Sequence, residues 1–346
     1  MFDIFNKYLY KKRGIYIAEI GLNHNGDPQM AAAMIESAAL AGASAVKFQT
    51  IVPELLNSVY TSSLLNSGSE LRPDYETIGF FKRSVLAFED YVSLKALAGK
   101  LGLIFFSAPF DFDSLEMLQK LGINLYKIAS SEVTNIRLIK KIAQTGKPAI
   151  MSTGISSNSE IAAAIDAFKT AGGEKLTLLH CVSTYPASAE HINLNRILSL
   201  KREFGFEVGF SDHTKGLKAA VIAAAIGVRI FEKHFTIDKD YDCPDREVSL
   251  SPDEFSAMID EVEETILMLG DGSIDCGESE KGIARAARRS LFANRDIKSG
   301  SIVSEDDIVA LRPGTGIPVS AIDSLIGRRV KADIAKDSIL RTDYFE

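Results

Sequence analysis

The sequence predicts an α/β protein, a (β/α)8 (TIM) barrel followed by a small, mostly β domain. Eight short runs rich in apolar and β-branched residues alternate with longer helical patterns over about 255 residues, the usual size of such a barrel. Several helical patterns are followed by a glycine. Helices often end with a residue in the left-handed conformation, and glycine adopts this conformation most readily. After residue 270 the pattern changes to short segments with frequent turns, which indicates a second domain.

The predicted strands are mostly continuous apolar runs, as expected for parallel strands that are buried on both faces. They span residues 15–21, 45–50, 103–109, 125–130, 148–154, 176–182, 207–213 and 229–236. The predicted helices span residues 28–41, 89–101, 113–121, 135–145, 159–171, 217–226 and 252–269. A doubly wound open sheet is the alternative, but such a sheet normally has fewer strands and a switch in strand order.

The same patterns divide the chain into three segments. We expect a catalytic barrel at residues 1–270, a linker rich in Gly, Asp, Ser and Glu at 271–286, and the β domain at 287–346. A domain this small buries little apolar surface alone, so we expect the barrel or a second subunit to support it. Residues 51–82 exceed an ordinary βα loop and predict a lid or edge over the site.

Composition narrows the class of protein. A formal net charge of −7 argues against a general affinity for nucleic acid or an anionic membrane. No apolar run approaches the roughly 20 residues that span a bilayer, and the first 13 residues do not resemble a signal peptide. The three cysteines, an odd and low number, fit a reducing compartment. We therefore expect a cytoplasmic protein.

Polar residues stand near the carboxyl end of nearly every predicted strand, where barrel enzymes place their active sites. In chain order they include Glu19, Asn23, His24, Lys47, Gln49, Ser107, Lys127, Ser130, Glu132, Ser152, Thr153, Ser183, Tyr185, Ser211, Asp212, His213, Lys233 and His234. One such residue is more often structural than catalytic. Eight polar strand ends in one barrel are hard to explain structurally, because barrel layers favour Val, Ile and Leu.

Lys47 and Lys127 lie among largely apolar neighbours, and a buried lysine destabilises the fold unless it is paired. One interpretation is an internal ion pair with Glu19 or Glu132. The interpretation that we favour is an anion site in which serine hydroxyls assist the two ammonium groups. A third is that one lysine forms a Schiff base with a carbonyl substrate. Glu19 and Glu132 are candidate general acids or bases if the lysines tune their pKa values.

His213 and His234 end adjacent strands, so their rings can meet at the mouth. Two imidazoles leave most coordination positions of a divalent metal open for water and a substrate oxygen. The alternative is that each ring only binds a backbone carbonyl. Asp212, next to His213, favours the metal interpretation because carboxylates commonly support histidine ligands.

The motifs AEIGLNHNG, VKFQT, FSAPF, YKIASSE, MSTG, STYP, GFSDHT, EKHFT and LRPGTG occur in this order along the chain. In order and spacing they resemble those of the sialic acid synthases, which include N-acetylneuraminate, legionaminate and pseudaminate synthases. The resemblance runs from about residue 15 to the C-terminus. It implies a TIM barrel followed by an antifreeze-like (SAF, β-clip) domain.

The resemblance also implies a reaction. Phosphoenolpyruvate would condense with an N-acetylated hexosamine, either N-acetylmannosamine or a diacetamido-dideoxyhexose, and with water. The products would be a nonulosonic acid, such as N-acetylneuraminate or a legionaminate-like acid, and phosphate. Pseudaminic acid synthase is the alternative, and a Schiff-base keto-acid lyase that uses Lys127 is a more distant one.

Site residues follow from the same resemblance. His213 and His234 would hold a divalent metal, commonly Mn²⁺, with Mg²⁺ and Co²⁺ as alternatives. Glu19 and Glu132 would act as acid, base or water-orienting groups. The residues implied in substrate binding are Lys47, Gln49, Ser107, Lys127, Ser130, Ser152, Ser183, Tyr185, Ser211, Asp245 and Arg312. Arg312 would reach a neighbouring subunit's site, which implies a domain-swapped homodimer.

Two departures from the family pattern concern phosphoenolpyruvate binding. Ala108 replaces a threonine found in many members, and Ser183 with Thr184 replaces an Asn–hydrophobe pair found in some bacterial members. A related synthase acting on a phosphorylated sugar would require a second basic cluster at the strand ends, and the sequence shows no clear one. A structural barrel that carries a sugar- or ice-binding domain would not explain the polar mouth.

Overall fold

The computed structural model describes residues 12–58 and 76–346. The chain divides into two compact units, Met1–Gly270 and Asp271–Glu346. Among the described residues, no helix combines the length and the apolar character needed to cross a lipid bilayer.

The first unit is built on a closed barrel in which each of the eight parallel strands pairs with the next, and the last pairs with the first. The strands are β1 (Ile15–Gly21), β2 (Ala45–Thr50), β3 (Ile104–Pro109), β4 (Tyr126–Ile128), β5 (Ala149–Ser152), β6 (Leu176–Cys181), β7 (Val208–Asp212) and β8 (Ile230–His234). The predicted TIM barrel is confirmed, and the open-sheet alternative is wrong because the β1–β8 pairing closes the ring.

Helices surround the barrel. They are α1 (Pro28–Leu40), α2 (Pro53–Leu56), α3 (Glu76–Arg83), α4 (Phe88–Lys100), α5 (Phe112–Leu121), α6 (Ile136–Ala143), α7 (Asn158–Thr170), α8 (Asn195–Phe204), α9 (Lys218–Ala225) and α10 (Pro252–Leu269). Helix α8 was not predicted from the sequence. Its mean hydropathy is low, and its buried residues are Ile197 and Leu200. The long connection predicted at 51–82 contains α2 and α3, and its residues 59–75 lie outside the described part of the chain.

Side chains alternate between the two faces of each strand. Outward-facing residues such as Tyr16, Phe105 and Phe210 pack with the helices in the main core. Inward-facing residues at the amino end of the strands form a separate apolar cluster of Ile15, Ile17, Ala45, Ile104, Phe106, Leu125, Ile150, Leu179 and Ile230. This inner cluster fills the lower part of the barrel, as the layers of a TIM barrel require.

The second unit contains α11 (Glu278–Ala287) and an antiparallel pair, β9 (Ser290–Ala293) and β10 (Ile308–Leu311). Isolated bridges extend the β structure, and eleven buried apolar residues, among them Leu291, Val330 and Phe345, form its own core. Part of the segment expected to link the two domains, residues 271–286, is helical, since α11 starts at Glu278. The helix begins after Gly277 with acidic residues in its first turn, a pattern that favours a helix start.

Candidate active site

A pocket of about 350 Å³ opens at the carboxyl ends of the barrel strands. Twelve predicted site residues line it: Glu19, Lys47, Gln49, Lys127, Ser130, Ser152, Ser183, Tyr185, Ser211, His213, His234 and Asp245. They come from six strands and from the loops that follow them. Because these strands are parallel and their side chains alternate, residues far apart in sequence converge at one end of the barrel.

Two buried lysines share carboxylates at the base of the pocket. The Nζ atom of Lys47 lies 3.0 Å from Oε1 of Glu19 and 3.5 Å from Oε1 of Glu232. The Nζ atom of Lys127 lies 2.9 Å from the same Glu232 oxygen. Ion pairing was one of the interpretations of these lysines, but the partner of Lys127 is Glu232 and not Glu132.

Glu232 was not predicted as a site residue, although it contacts both lysines. Its Oε1 atom also accepts a hydrogen bond from Ser211 at 2.9 Å. Although burial opposes ionisation of this carboxyl, Lys127 and Lys47 lower its pKa to about 2. Period-two alternation could have identified it, since an inward His234 requires an inward Glu232 and an outward Lys233.

Several polar atoms at the pocket have no hydrogen-bond partner although they are buried. They are Oε2 of Glu19, Oγ of Ser152, Oε2 of Glu232 and Nδ1 of His234. Buried polar groups in folded proteins are almost always satisfied, so unpaired ones gathered at a single pocket indicate a ligand that completes them.

Gly154 lies just after β5 and has no side chain, so two serine hydroxyl groups approach its backbone closely. A Cβ atom built on this glycine would lie 2.3 Å from Oγ of Ser183 and 2.8 Å from Oγ of Ser130. The backbone N–H of Gly154 donates to Oγ of Ser130 at 3.1 Å. Any larger residue at position 154 would therefore displace two hydroxyl groups of the pocket.

The two histidines meet at the mouth, with ring centroids 5.2 Å apart. Nδ1 of His213 lies 2.9 Å from the carbonyl oxygen of Val182. A carbonyl only accepts hydrogen bonds, so this contact places a proton on Nδ1, and the neutral form of the ring then has its lone pair on Nε2. Nε2 lies 3.1 Å from the hydroxyl of Tyr185, whose ring stacks on His213.

On the other ring, Nδ1 of His234 lies 3.3 Å from Oδ2 of Asp245 without an aligned hydrogen bond. Two imidazole nitrogens and a nearby carboxylate form a donor set that suits a divalent transition metal. Within residues 12–58 and 76–346 no group of three or more His, Cys, Asp or Glu side chains is placed to hold a metal. The residues fit a metal held by two histidines, whose other ligands would be water and substrate.

The outer part of the pocket is more apolar. Its lining includes Leu22, Phe80, Phe81, Phe110 and Ile155. Phe80 and Phe81 come from α3 and contact each other edge to face at 5.3 Å. Sequence analysis did not single out these residues, because hydrophobic residues in a long connection carry no distinctive chemical signal.

Three predicted site residues lie outside the pocket lining. Ser107 faces outward on β3, bonded to Oγ1 of Thr50 and the carbonyl of Phe48, both at 2.8 Å. Its inward neighbour is Ala108. Glu132 lies in a 3-10 turn after β4 and accepts a hydrogen bond from Asn135 at 2.8 Å. Arg312 lies in the second unit, directly after β10.

The expectation that Asp212 supports the metal site directly also needs correction. Asp212 faces away from the barrel interior and pairs with Lys233, 3.1 Å away, because both residues occupy outward positions on β7 and β8. His24 holds the turn that follows β1, because its Nδ1 atom accepts a hydrogen bond from the backbone of Gly26 at 3.0 Å.

Comparisons with known proteins identify the family. Residues 34–274 match the NeuB family and residues 288–346 match the SAF domain. N,N'-diacetyllegionaminic acid synthase of Legionella pneumophila is 36% identical over 95% of this chain and 94% of its own length. Pseudaminic acid synthase of Campylobacter jejuni strain 81-176 is 37% identical over 96% of this chain and 97% of its own.

A solved structure agrees with this match. The N-acetylneuraminic acid synthetase of Leptospira borgpetersenii aligns with a TM-score of 0.68 and 36% identity, covering 78% of this chain and 90% of that one. The chain belongs to the NeuB family of sialic acid synthases, enzymes that form carbon–carbon bonds from phosphoenolpyruvate.

Proposed function

We propose that this enzyme condenses phosphoenolpyruvate with the open-chain aldehyde of an N-acetylated hexosamine to give a nonulosonic acid and phosphate. The observation that carries the proposal is the pair of buried ammonium groups, Lys47 and Lys127, beside unpaired polar atoms in one pocket. The two ammonium groups can bind a ligand with several anionic oxygens, and phosphoenolpyruvate has both a phosphate and a carboxylate.

The charge balance of the pocket supports a metal cofactor. The two lysines face three carboxylates, those of Glu19, Glu232 and Asp245, so the protein itself supplies no excess positive charge. Binding a multiply charged anion there is more favourable when a divalent cation enters with it. His213 and His234 would hold this cation, with Mn²⁺ as the first candidate. When bound, it would polarise the aldehyde oxygen of the acceptor.

The protein's own groups would orient the reactants. Lys47, Lys127 and the hydroxyls of Ser130, Ser152 and Ser211 would fix phosphoenolpyruvate so that its methylene carbon faces the aldehyde. The new carbon–carbon bond would leave a cationic former enol carbon, which water attacks before phosphate departs. Oε2 of Glu19, which is buried and unpaired, would accept a proton from that water. The acid or base role of Glu132 rests on the family resemblance alone.

The acceptor would occupy the outer part of the pocket. Gln49, Tyr185 and Asp245 are polar residues of the pocket lining that would bind sugar hydroxyl or acetamido groups. The acceptor candidates are N-acetylmannosamine and a diacetamido-dideoxyhexose, since relatives of similar identity are named as legionaminic and pseudaminic acid synthases.

Phosphate release tests this proposal. The enzyme is incubated with phosphoenolpyruvate, Mn²⁺ and each acceptor separately, before and after EDTA. We expect release with one acceptor, none without an acceptor, and loss of activity after chelation. Release without any acceptor would contradict a condensation. Borohydride inactivation in the presence of a keto acid, with modification of Lys127, would instead support the Schiff-base lyase.

We further propose a domain-swapped homodimer in which Arg312 serves the partner's site, as the resemblance implies. Mixing two inactive variants, Arg312→Ala and Lys127→Met, tests this arrangement. If the arginine acts across subunits, each mixed dimer contains one intact site, and activity should recover to about a quarter of the wild-type rate. If it acts within its own subunit, every site keeps one lesion and no activity returns.

A further inference from the structure

We propose that Asp212 and Lys233 are positioning residues that fix the backbone around His213 and thereby set the geometry of its imidazole. This inference rests on the proposed metal role of His213, but part of its test is independent of that role. Neither residue lines the pocket, so neither touches substrate in this account.

The position of the pair is unusual for its chemistry. Asp212 and Lys233 are register partners on β7 and β8 and face the layer between the barrel and its helices. The preceding outward residues on these strands, Phe210 and Phe231, belong to the apolar core. Lys233 is 1% exposed and Asp212 is 2% exposed. The ion pair therefore lies in a layer that consists mostly of packed apolar side chains.

The contacts of the pair converge on the residue after His213. Nζ of Lys233 donates to the carbonyl oxygen of Thr214 and lies 3.1 Å from Oδ2 of Asp212. Oδ1 of Asp212 accepts the backbone N–H of Thr214 at 2.8 Å. Both backbone polar groups of Thr214 are thus bound by the pair, which fixes the direction in which the chain leaves β7.

His213 itself is held from the opposite side. Its ring donates to the carbonyl of Val182, and its backbone carbonyl accepts the N–H of Ala187 at 2.9 Å. The imidazole therefore has two anchors, the loop after β6 and the Asp212–Lys233 pair. Removing the second anchor frees the backbone on one side of the ring while the first still holds Nδ1.

Stability alone does not account for the pair. A buried ion pair must offset the loss of hydration of two charges, and well-packed apolar residues often replace such a pair without loss of stability. Lys233 is almost completely buried, so the loss of hydration opposes its charge. Fixing one local geometry is the role that remains, and the contacts with Thr214 show where it acts.

The test compares the wild-type enzyme with the double variant Asp212→Leu/Lys233→Met. We expect the double variant to fold with a Tm within a few degrees of wild type or above it. Its affinity for Mn²⁺, measured by calorimetry with the metal alone, should fall about 10- to 100-fold, as for other residues that support a metal ligand. kcat should fall at least 10-fold, with the KM for phosphoenolpyruvate little changed.

An NMR readout separates this inference from the proposed function. In the metal-free enzyme, the Nδ1–H proton of His213 gives a resonance set by its bond to the carbonyl of Val182. If wild type binds no Mn²⁺ but the resonance shifts in the double variant, the metal proposal fails and the positioning role stands. A folded double variant with wild-type resonance, Mn²⁺ affinity and kcat would overturn the positioning role.

Two further variants complete the design. Asp212→Asn keeps the volume of the side chain. This variant tests the positioning role if the double variant does not fold. We expect a resonance shift and a smaller loss of Mn²⁺ affinity in it, and wild-type values would overturn the inference. Lys215→Ala/Glu247→Ala is the matched control, because it removes an exposed ion pair next to Thr214, with an N–O distance of 3.0 Å. It should change none of these measurements.

Discussion

The two ends of the barrel interior have opposite chemistry although the same strands build both. At the amino end the inward residues are apolar and form a closed cluster. One or two inward positions further along, the same strands present carboxylates, ammonium groups, hydroxyls and imidazoles. On β1 the change occurs between Ile17 and Glu19, and on β5 between Ile150 and Ser152.

This difference shows how a barrel separates stability from chemistry. The apolar end removes hydrocarbon from water and supplies folding free energy. The polar end contains buried charges and unpaired atoms, which contribute little to stability and are explained by a bound ligand. Changes at the polar end should therefore affect activity more than stability, and changes at the apolar end the reverse.

The largest effect is expected from Lys127→Met. This change removes one of the two buried ammonium groups, while Glu232 keeps its contacts with Lys47 and Ser211. Loss of a charge-assisted contact to a substrate anion should lower kcat/KM for phosphoenolpyruvate about 1000-fold. Steady-state phosphate release measures it, and Lys120→Met, at an exposed lysine of α5, is the control. A kcat/KM for Lys127→Met within threefold of wild type would show that Lys127 does not bind phosphoenolpyruvate.

The next largest effect is expected at the apolar end. Ile150→Ala should lower the free energy of unfolding by about 2–5 kcal/mol, because it leaves a cavity in the closed inner cluster. Urea unfolding measures this loss, and Ile150→Val should lose only about 1 kcal/mol. kcat/KM per folded molecule should stay within a few-fold of wild type. A large loss of activity without a loss of stability would contradict the division between the two ends.

Acid sensitivity should come from two buried histidines that do not touch the proposed metal. Burial is the main cause that lowers the pKa values of His24 and His180 from 6.5 to about 4. Between these pH values the unfolded chain binds protons that the folded chain does not. The free energy of unfolding should therefore fall as the pH drops from 6.5 to 4, by at most about 3 kcal/mol per histidine. Urea unfolding across this range measures it, and His180→Gln should reduce the slope.

The smallest effects distinguish two serines that sequence analysis treated alike. Ser152→Ala removes an unpaired inward hydroxyl, so kcat/KM should fall about 10-fold with little change in Tm. Ser107→Ala removes an outward hydroxyl bonded to Thr50 and Phe48, so it should lower stability by about 1 kcal/mol without changing kcat/KM. Steady-state kinetics and thermal unfolding measure both. A loss of kcat/KM in Ser107→Ala but not in Ser152→Ala would mean that the inward or outward position of a residue on its strand does not decide whether it belongs to the site.

Sequence predicted the barrel well because buried parallel strands leave a strong apolar signal. It predicted β1 and β2 with their observed bounds and brought most of the site residues to one pocket. The sequence did not show which face of a strand each residue occupies. Lys233 and Ser107 were predicted at the mouth of the barrel but face outward, whereas Glu232 was not predicted there and faces inward. Applying the period-two rule to each strand end would have corrected all three.

Other misses have different causes. Helix α8 was missed although its pattern is amphipathic, because its mean hydropathy is low and only two of its residues are buried. Glu132 is the last residue of a 3-10 turn, and the direction of its side chain depends on local backbone geometry that residue types do not specify. The apolar outer lining from α3 could not be assigned, because its position depends on how a long connection folds against the barrel.

Calorimetric titration of phosphoenolpyruvate, with Mn²⁺ present and no acceptor, tests the central claim most directly. It is performed on wild type, Lys127→Met and Ile150→Ala, each first shown to be folded. The account predicts saturable binding of similar affinity to wild type and Ile150→Ala, and affinity at least 100-fold weaker for Lys127→Met. Equal affinity in all three would show that the polar end of the barrel does not bind phosphoenolpyruvate.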